Sequence, residues 1–390
     1  MTGKAQEQEF YHYDNSKRVI ARKYEQVRLI LDVVNGTVIP VLTSLFLVLS
    51  RISPGLSRYL QSLTGSYWLS VALYVVVFVF FLQLLATPFT FYSGFVVEHR
   101  FGLSVQRAKD WITDDLKSIA IEAVFGVLLG IVVYYLMQLT YLWWLLTAFF
   151  FAALEILLST VLPYVIMPIF YKVTPLADTR MKDHLIDMAK RVGTKDIQRI
   201  LVADESRRSI RANAMFSGIG SSRAIVLFDT LIKNFPSREV VTVVAHELGH
   251  YVNKDIWKSA AISGILTVLP FFLADYVLRK SATALGLAGI TDPAGIPIIF
   301  GVLLGFGFVL QPISNGFSRI LERQADEFAL RAAEDPDAQA SAERRLADLD
   351  LSVDTPNHFI ELFFYTHPSS SKRVALAEDW KKNRRPPTNR

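Results

Sequence analysis

Residues 67–97 contain no charged side chain, and a run of that length dominates what the chain can become. A helix needs ~20 consecutive apolar residues to cross a bilayer. Similar segments recur at about 29–50, 118–137, 143–171, 257–279 and 294–318. With 52% hydrophobic and 20% charged residues among 390, the composition is too apolar for a soluble protein of this size. The expected fold is therefore mainly α, a polytopic helical membrane protein with about six to seven spans. The absence of cysteine excludes disulfides, thiolate metal ligands and a cysteine nucleophile.

The connecting segments set the expected topology. Lys17, Arg18, Arg22, Lys23 and Arg28 mark residues 1–28 as a cytoplasmic tail with no apolar core of a signal peptide. A short loop with Pro54, Gly55 and Arg58 separates the first two spans, and Pro88 is expected to kink the end of the second. Residues 98–117 carry mixed charge. Pro163 and Pro168 should bend or loosen the exit of the fourth span. Basic residues gather in the tail, in 98–117, in 172–256 and at the C-terminus, so those parts are placed on the cytoplasmic side. Asp275, inside the fifth segment, must face protein or water.

Residues 172–256 have the composition of a soluble domain. A helix is expected over 179–192, with strands over 197–202 and 224–228 and an edge strand within 211–218. Ser237 is the expected cap of the next helix. That helix carries His246-Glu247-Leu248-Gly249-His250, an HExxH sequence. Histidines four apart share one helical face and can reach one ion, and a catalytic zinc accepts imidazole nitrogen while keeping a position open for water. Glu247 then stands where it can take a proton from that water. Two idle surface histidines are the plain alternative. Seven histidines would produce HExxH by chance roughly once in a hundred such chains or less, and the apolar Val240, Val241, Val243, Val244 and Ala245 mark a buried helix.

A third ligand must come from elsewhere. His12, His99, His184, His358, His367 and many carboxylates are open to the role. Glu322 and Asp326 stand out: four apart, one can bind metal while the other orients a ligand. Alone, that pair reads as a solvated helix end; with HExxH upstream, the ligand reading takes precedence. The polar helix 320–333 that carries them is followed by a charged stretch to about 354, expected to be mobile from Glu334 to Ser341.

HELGH, ERQAD (322–326), RANAMFSG (211–218), THPSSSKR (366–373) and FYSGFVVEHRFGLS (91–104) together resemble the type 1 CaaX prenyl endopeptidase family, integral membrane zinc metallopeptidases. The HtpX group of quality-control proteases is the looser relative; residues 91–104 and the additional N-terminal spans favour the first. The chain is shorter than eukaryotic members, which have seven spans. The resemblance implies zinc bound by His246, His250 and Glu322, with Glu247 as general base. It implies that Asn213 and Ala214 align substrate backbone on an edge strand, and that His367 supports the oxyanion. Arg373 is implied to lie behind the site among substrate contacts, and Asp326 to orient a ligand.

The expected organisation is a tail (1–28), four spans (29–171), a metallopeptidase domain (172–256), two spans (257–318) and a part completing the zinc site (319–390). The expected function is a zinc endopeptidase facing the cytoplasm that removes a C-terminal tripeptide. Its partners would be a peptide or protein, prenylated or not, and membrane lipid, with no nucleic acid. A broad quality-control protease would use the same site. A zinc-binding membrane protein without turnover would need ligands only, and Glu247 argues against it. Glu122, Glu155, Gln83, Gln138 and Gln311 lie in or near spans and hint at a water-filled interior, although for Glu122 and Asp275 an interface position accounts for the sequence equally well.

Overall fold

The computed structural model describes residues 10–194, 197, 199–217 and 223–383, apart from the side chains of 160–164. Among these, five helical stretches are long and apolar enough to cross a membrane: Asn15–Leu49, Tyr67–Arg100, Ala108–Leu139, Asp255–Leu285 and Pro293–Ala333. A sixth apolar helix, Trp143–Val165, occupies the fourth segment read from the sequence and ends just before Met167–Phe170, which holds Pro168 in its first turn. With no water to satisfy them, the backbone groups of such segments bond internally, and helices do this within one segment. Pro88 lies inside Tyr67–Phe91, and the chain widens after it into a π-helical turn, Tyr92–Val97. Asp275 faces protein as expected: it accepts from Trp143 Nε1 at 2.6 Å and pairs with Arg279 at 2.8 Å.

Three expectations are corrected. Residues 51–66 are not a plain loop. Arg51, at φ 58°, turns the chain into a helix, Ile52–Thr64. Pro54 sits in its first turn, where a missing N–H costs little, and Ser53 and Ser57 are buried against Ala294 O and Asp292 Oδ1 at 2.7 and 2.5 Å. Ser237 is not the cap of the HExxH helix, Ser237–Val252; Pro236 takes that position and no side chain bonds there. Residues 334–341 are not mobile. Asp335 caps a helix, Pro336–Leu349, by accepting from Ala338 N at 3.1 Å, and Ala338 to Glu343 are all buried. The charges that suggested disorder are neutralised by docking: Glu239 accepts from Ser341 Oγ at 2.6 Å and pairs with Arg345 at 2.7 Å.

The polar part holds a sheet of β1 (Val173–Pro175), β2 (Arg199–Ala203), β3 (Ala214–Ser217) and β4 (Ala224–Phe228), in spatial order β1-β2-β4-β3. The β2–β4 pair is parallel and the other two are antiparallel. Every residue of β4 is buried, which is why Ala-Ile-Val-Leu-Phe is a continuous apolar run with no alternation. Residue 218, included in the expected third strand, lies outside the described residues. Helix Thr179–Arg191, capped by Asp178 accepting from Met181 N at 3.0 Å, packs Leu185 and Met188 beneath the sheet. Val240, Val244 and Leu248 of the HExxH helix join Ile200, Ile225 and Leu227 in that core. Packing against the sheet fixes the axis of the HExxH helix and therefore the direction of its histidines.

Candidate active site

Two helices meet at Gly249. A methyl added there would stand 3.0 Å from Ala325 Cα and 3.1 Å from its carbonyl oxygen, both backbone atoms of the helix Ile296–Ala333. That close approach brings Glu322 across to the two histidines. Gly249→Ala is expected to push the helices apart, lowering stability by about 1–3 kcal/mol and weakening metal retention. Thermal unfolding and zinc content of the purified variant read both effects.

One ligand atom each from His246, His250 and Glu322 lies within 4.8 Å of the others, and among the described residues this is the group that could hold a metal ion. His12, His99, His184 and His358 are not part of it. The His246 Nδ1 faces Asp326 Oδ1 at 2.8 Å, and the His250 Nδ1 faces Asp255 Oδ2 at 2.9 Å. Each imidazole that donates from Nδ1 carries a bare lone pair on Nε2. The two Nε2 atoms stand 3.1 Å apart, close enough for one ion to receive a lone pair from each. Glu322 adds to the case: Oε1 lies 3.4 Å from His250 Nε2 and Oε2 3.2 Å from His246 Nε2, so the carboxylate faces both imidazoles. Burial alone would lower the His246 pKa, but Asp326 and Glu322 outweigh it and lift it to about 10. This excess of carboxylate calls for positive charge, and the donor set of two imidazoles and one carboxylate suits zinc with a position left open.

Asp255 was missed by the sequence reading. It follows Lys254, whose left-handed backbone (φ 58°) turns the chain sharply between the HExxH helix and the next span. An acidic residue just beyond HExxH and ahead of an apolar run was the available signal. Glu343 was missed too, because it lies on the helix whose beginning was read as mobile. Arg373 donates to Asp326 at 2.5 and 2.8 Å and pairs with Glu343 at 2.9 Å. It thus grips the aspartate that is hydrogen-bonded to His246, and its Nη2 also lies 3.2 Å from His246 Nδ1. Asp326 stands where the sequence suggested, behind His246.

The remaining residues line one cavity of about 600 Å³ together with His246. Glu247 is in its wall, and burial pushes its carboxyl pKa up. His367, with its side chain 57% exposed, brings Nε2 to 3.3 Å from Glu322 Oε1. Asn213 and Ala214 lead into β3, an edge strand among the described residues, paired on one side by β4. Asn213 Oδ1 accepts from Ala214 N at 2.8 Å. Phe216 stacks at 4.6 Å on Tyr251, one residue after His250, so the edge strand lies directly along the HExxH helix.

A helical membrane fold with an HExxH helix, a third carboxylate from a distant helix and an edge strand beside them defines a membrane zinc metallopeptidase. Residues 175–381 match peptidase family M48, and residues 8–172 match the CAAX prenyl protease N-terminal region, described as five membrane helices. The chain belongs to peptidase family M48, a zinc-dependent family. It is 31% identical over 319 residues to CAAX prenyl protease 1 of Saccharomyces cerevisiae, covering 75% of this chain and 68% of that one. It is 25% identical over 373 residues to the uncharacterized metalloprotease YhfN of Bacillus subtilis, covering 93% and 86%. The crystal structure of S. mikatae Ste24p superimposes with a TM-score of 0.76 at 26% identity, covering 93% of this chain and 89% of the other.

Proposed function

We propose that the chain removes the C-terminal tripeptide from prenylated CaaX substrates, with its active site on the cytoplasmic side of the membrane. The single observation that carries the catalytic part is the convergence of His246, His250 and Glu322 beside an edge strand, with Glu247 in the same wall. Similarity to CAAX prenyl protease 1 over most of the chain supports the substrate class. Zinc held by His246, His250 and Glu322 would supply Lewis-acid polarisation of the scissile carbonyl and of a water molecule. Glu247 takes the proton from the attacking water and later passes it to the leaving amine. His367 donates toward the oxygen on which negative charge develops. Substrate backbone adds beside β3 at Asn213 and Ala214, binding through main-chain hydrogen bonds that accept varied side chains. Asp326 and Asp255 fix the tautomers of the two histidines, and Arg373 steadies Asp326.

Lipid surrounds the spans and would accommodate a prenyl chain. The distribution of lysine and arginine supports the cytoplasmic orientation. The test is incubation of the purified zinc protein with a farnesylated CaaX peptide and its unprenylated twin, with products identified by mass spectrometry. Release of one tripeptide, faster from the prenylated peptide and abolished by a chelator, is expected. Scattered internal cuts would instead assign the site to protein quality control.

A further inference from the structure

We propose that Arg319 is a positioning residue for the reaction, holding from behind the active site the backbone turn that aims His367 at the metal group; this rests on the oxyanion role of His367. His367 stands on a short connection, residues 365–369, between the helix His358–Phe364 and the helix Ser370–Asn383. That connection walls the catalytic cavity through Tyr365, Thr366, His367 and Pro368. The imidazole does little to fix itself. Its side chain is 57% exposed, with Nε2 3.3 Å from Glu322 Oε1. Its Nδ1 lies 2.8 Å from Thr366 Oγ1, the hydroxyl of its own neighbour in the chain. The aim of His367 is therefore inherited from the backbone that carries it.

Arg319 grips that backbone. Its Nη1 donates to Tyr365 O at 2.6 Å, two residues before His367, and to Glu361 O at 2.9 Å, with Leu362 O at 3.4 Å. Glu361 and Leu362 lie near the end of His358–Phe364, where the last carbonyls of a helix look outward for donors and an arginine suits them. Four residues before Arg319 on the same helix, the buried Asn315 donates from Nδ2 to Phe363 O. Both belong to the helix Ile296–Ala333, which also supplies Glu322, three residues after Arg319. The metal ligand and the clamp on the His367 turn are thus parts of one rigid element, which sets the turn in register with the metal group.

Arg319 does this from outside the catalytic cavity. It lines a second recess of about 420 Å³ with Glu361, Pro368 and Lys372, and it is not among the residues that line the cavity of His246 and Glu247. Pro368 lines both, so the turn is part of the wall between them. Arg319 acts through His367 and not on substrate. A donor to a developing oxyanion contributes about 10²- to 10³-fold in kcat, and a misplacement of ~1 Å can forfeit about 10²-fold. Loss of the clamp should cost turnover and spare zinc, because His246, His250 and Glu322 form the metal group without residues 365–369.

The test is a double-mutant cycle on a farnesylated CaaX peptide, measuring kcat and KM for the wild-type protein, R319Q, H367A and the double variant, with zinc content and thermal unfolding of each. R319Q is expected to lower kcat by about 10- to 100-fold while KM and zinc content stay near wild type. R319K, which can still reach one carbonyl, should restore part of the rate. In the H367A background R319Q should cost nothing further, because the group it aims is gone. A simple loss of folded enzyme would lower kcat by the same factor in both backgrounds. That result, or a wild-type kcat in R319Q, overturns the proposal while a slow H367A keeps the role of His367. If R319Q does not fold, the cycle is run with R319K and the same outcomes decide. Loss of zinc or of fold in both variants would assign Arg319 to supporting its own helix and count against the proposal. A wild-type kcat in H367A removes the oxyanion role of His367 and this inference with it. Failure of the wild-type protein to release a tripeptide sinks the underlying function as well.

Discussion

Glu247→Gln is expected to retain zinc at the wild-type level and to cut peptide hydrolysis by about 10²- to 10⁴-fold, the contribution of a general acid–base group. The reasoning is positional. Glu247 follows His246 on the same helix and lines the cavity, yet it is outside the group that can hold the ion. Glutamine preserves its volume and much of its hydrogen bonding while removing the base. Zinc content by elemental analysis and cleavage of a CaaX peptide on the same preparation separate binding from turnover. Wild-type cleavage by this variant would remove Glu247 from the mechanism.

Glu322→Ala attacks the other half of the account. The expected result is zinc binding weakened by more than about 100-fold, beyond the loss caused by removing a residue that only orients a ligand. Cleavage should vanish at zinc concentrations that saturate the wild-type protein. Glu322 contributes the one ligand from outside the HExxH helix, and its two oxygens lie 3.2 and 3.4 Å from the Nε2 atoms of His246 and His250. Alanine leaves no atom to replace it. Normal zinc content in this variant would strike Glu322 from the ligand set, and His367, 3.3 Å from Glu322, would be the next residue to replace.

The parts of the site that were legible in the sequence are those set by local geometry. HExxH declares itself because helical spacing alone puts both histidines on one face. The pairing of Glu322 with Asp326 follows the same rule, and the resemblance to a peptidase family tied it to the metal across many residues. Asp255 was hidden, since its role depends on the left-handed turn at Lys254, which charge and hydropathy do not announce. Glu343 was hidden by docking: a charged run is disordered in isolation but ordered when Glu239 and Arg373 meet its side chains.

The fold divides in the same way. All six apolar segments are helical, because long uncharged runs leave the backbone little choice. Residues 52–64 were misread since Pro54 and Gly55 look like loop punctuation, while the deciding fact is the burial of Ser53, Ser57 and Leu60 against the chain near Asp292. Strand β1 is three residues long and was invisible to any period-based reading. Arg373, which the resemblance implied to lie behind the site among substrate contacts, lines the same cavity as His246 and is held there by Asp326 and Glu343.

The central claim is that one zinc ion joins the HExxH helix to the helix bearing Glu322. Anomalous diffraction recorded at the zinc edge on crystals of the purified protein tests it directly. The account predicts one strong peak within bonding distance, ~2.0–2.2 Å, of His246 Nε2, His250 Nε2 and a Glu322 carboxylate oxygen. A peak that lacks Glu322, or that lies away from both histidines, would contradict it.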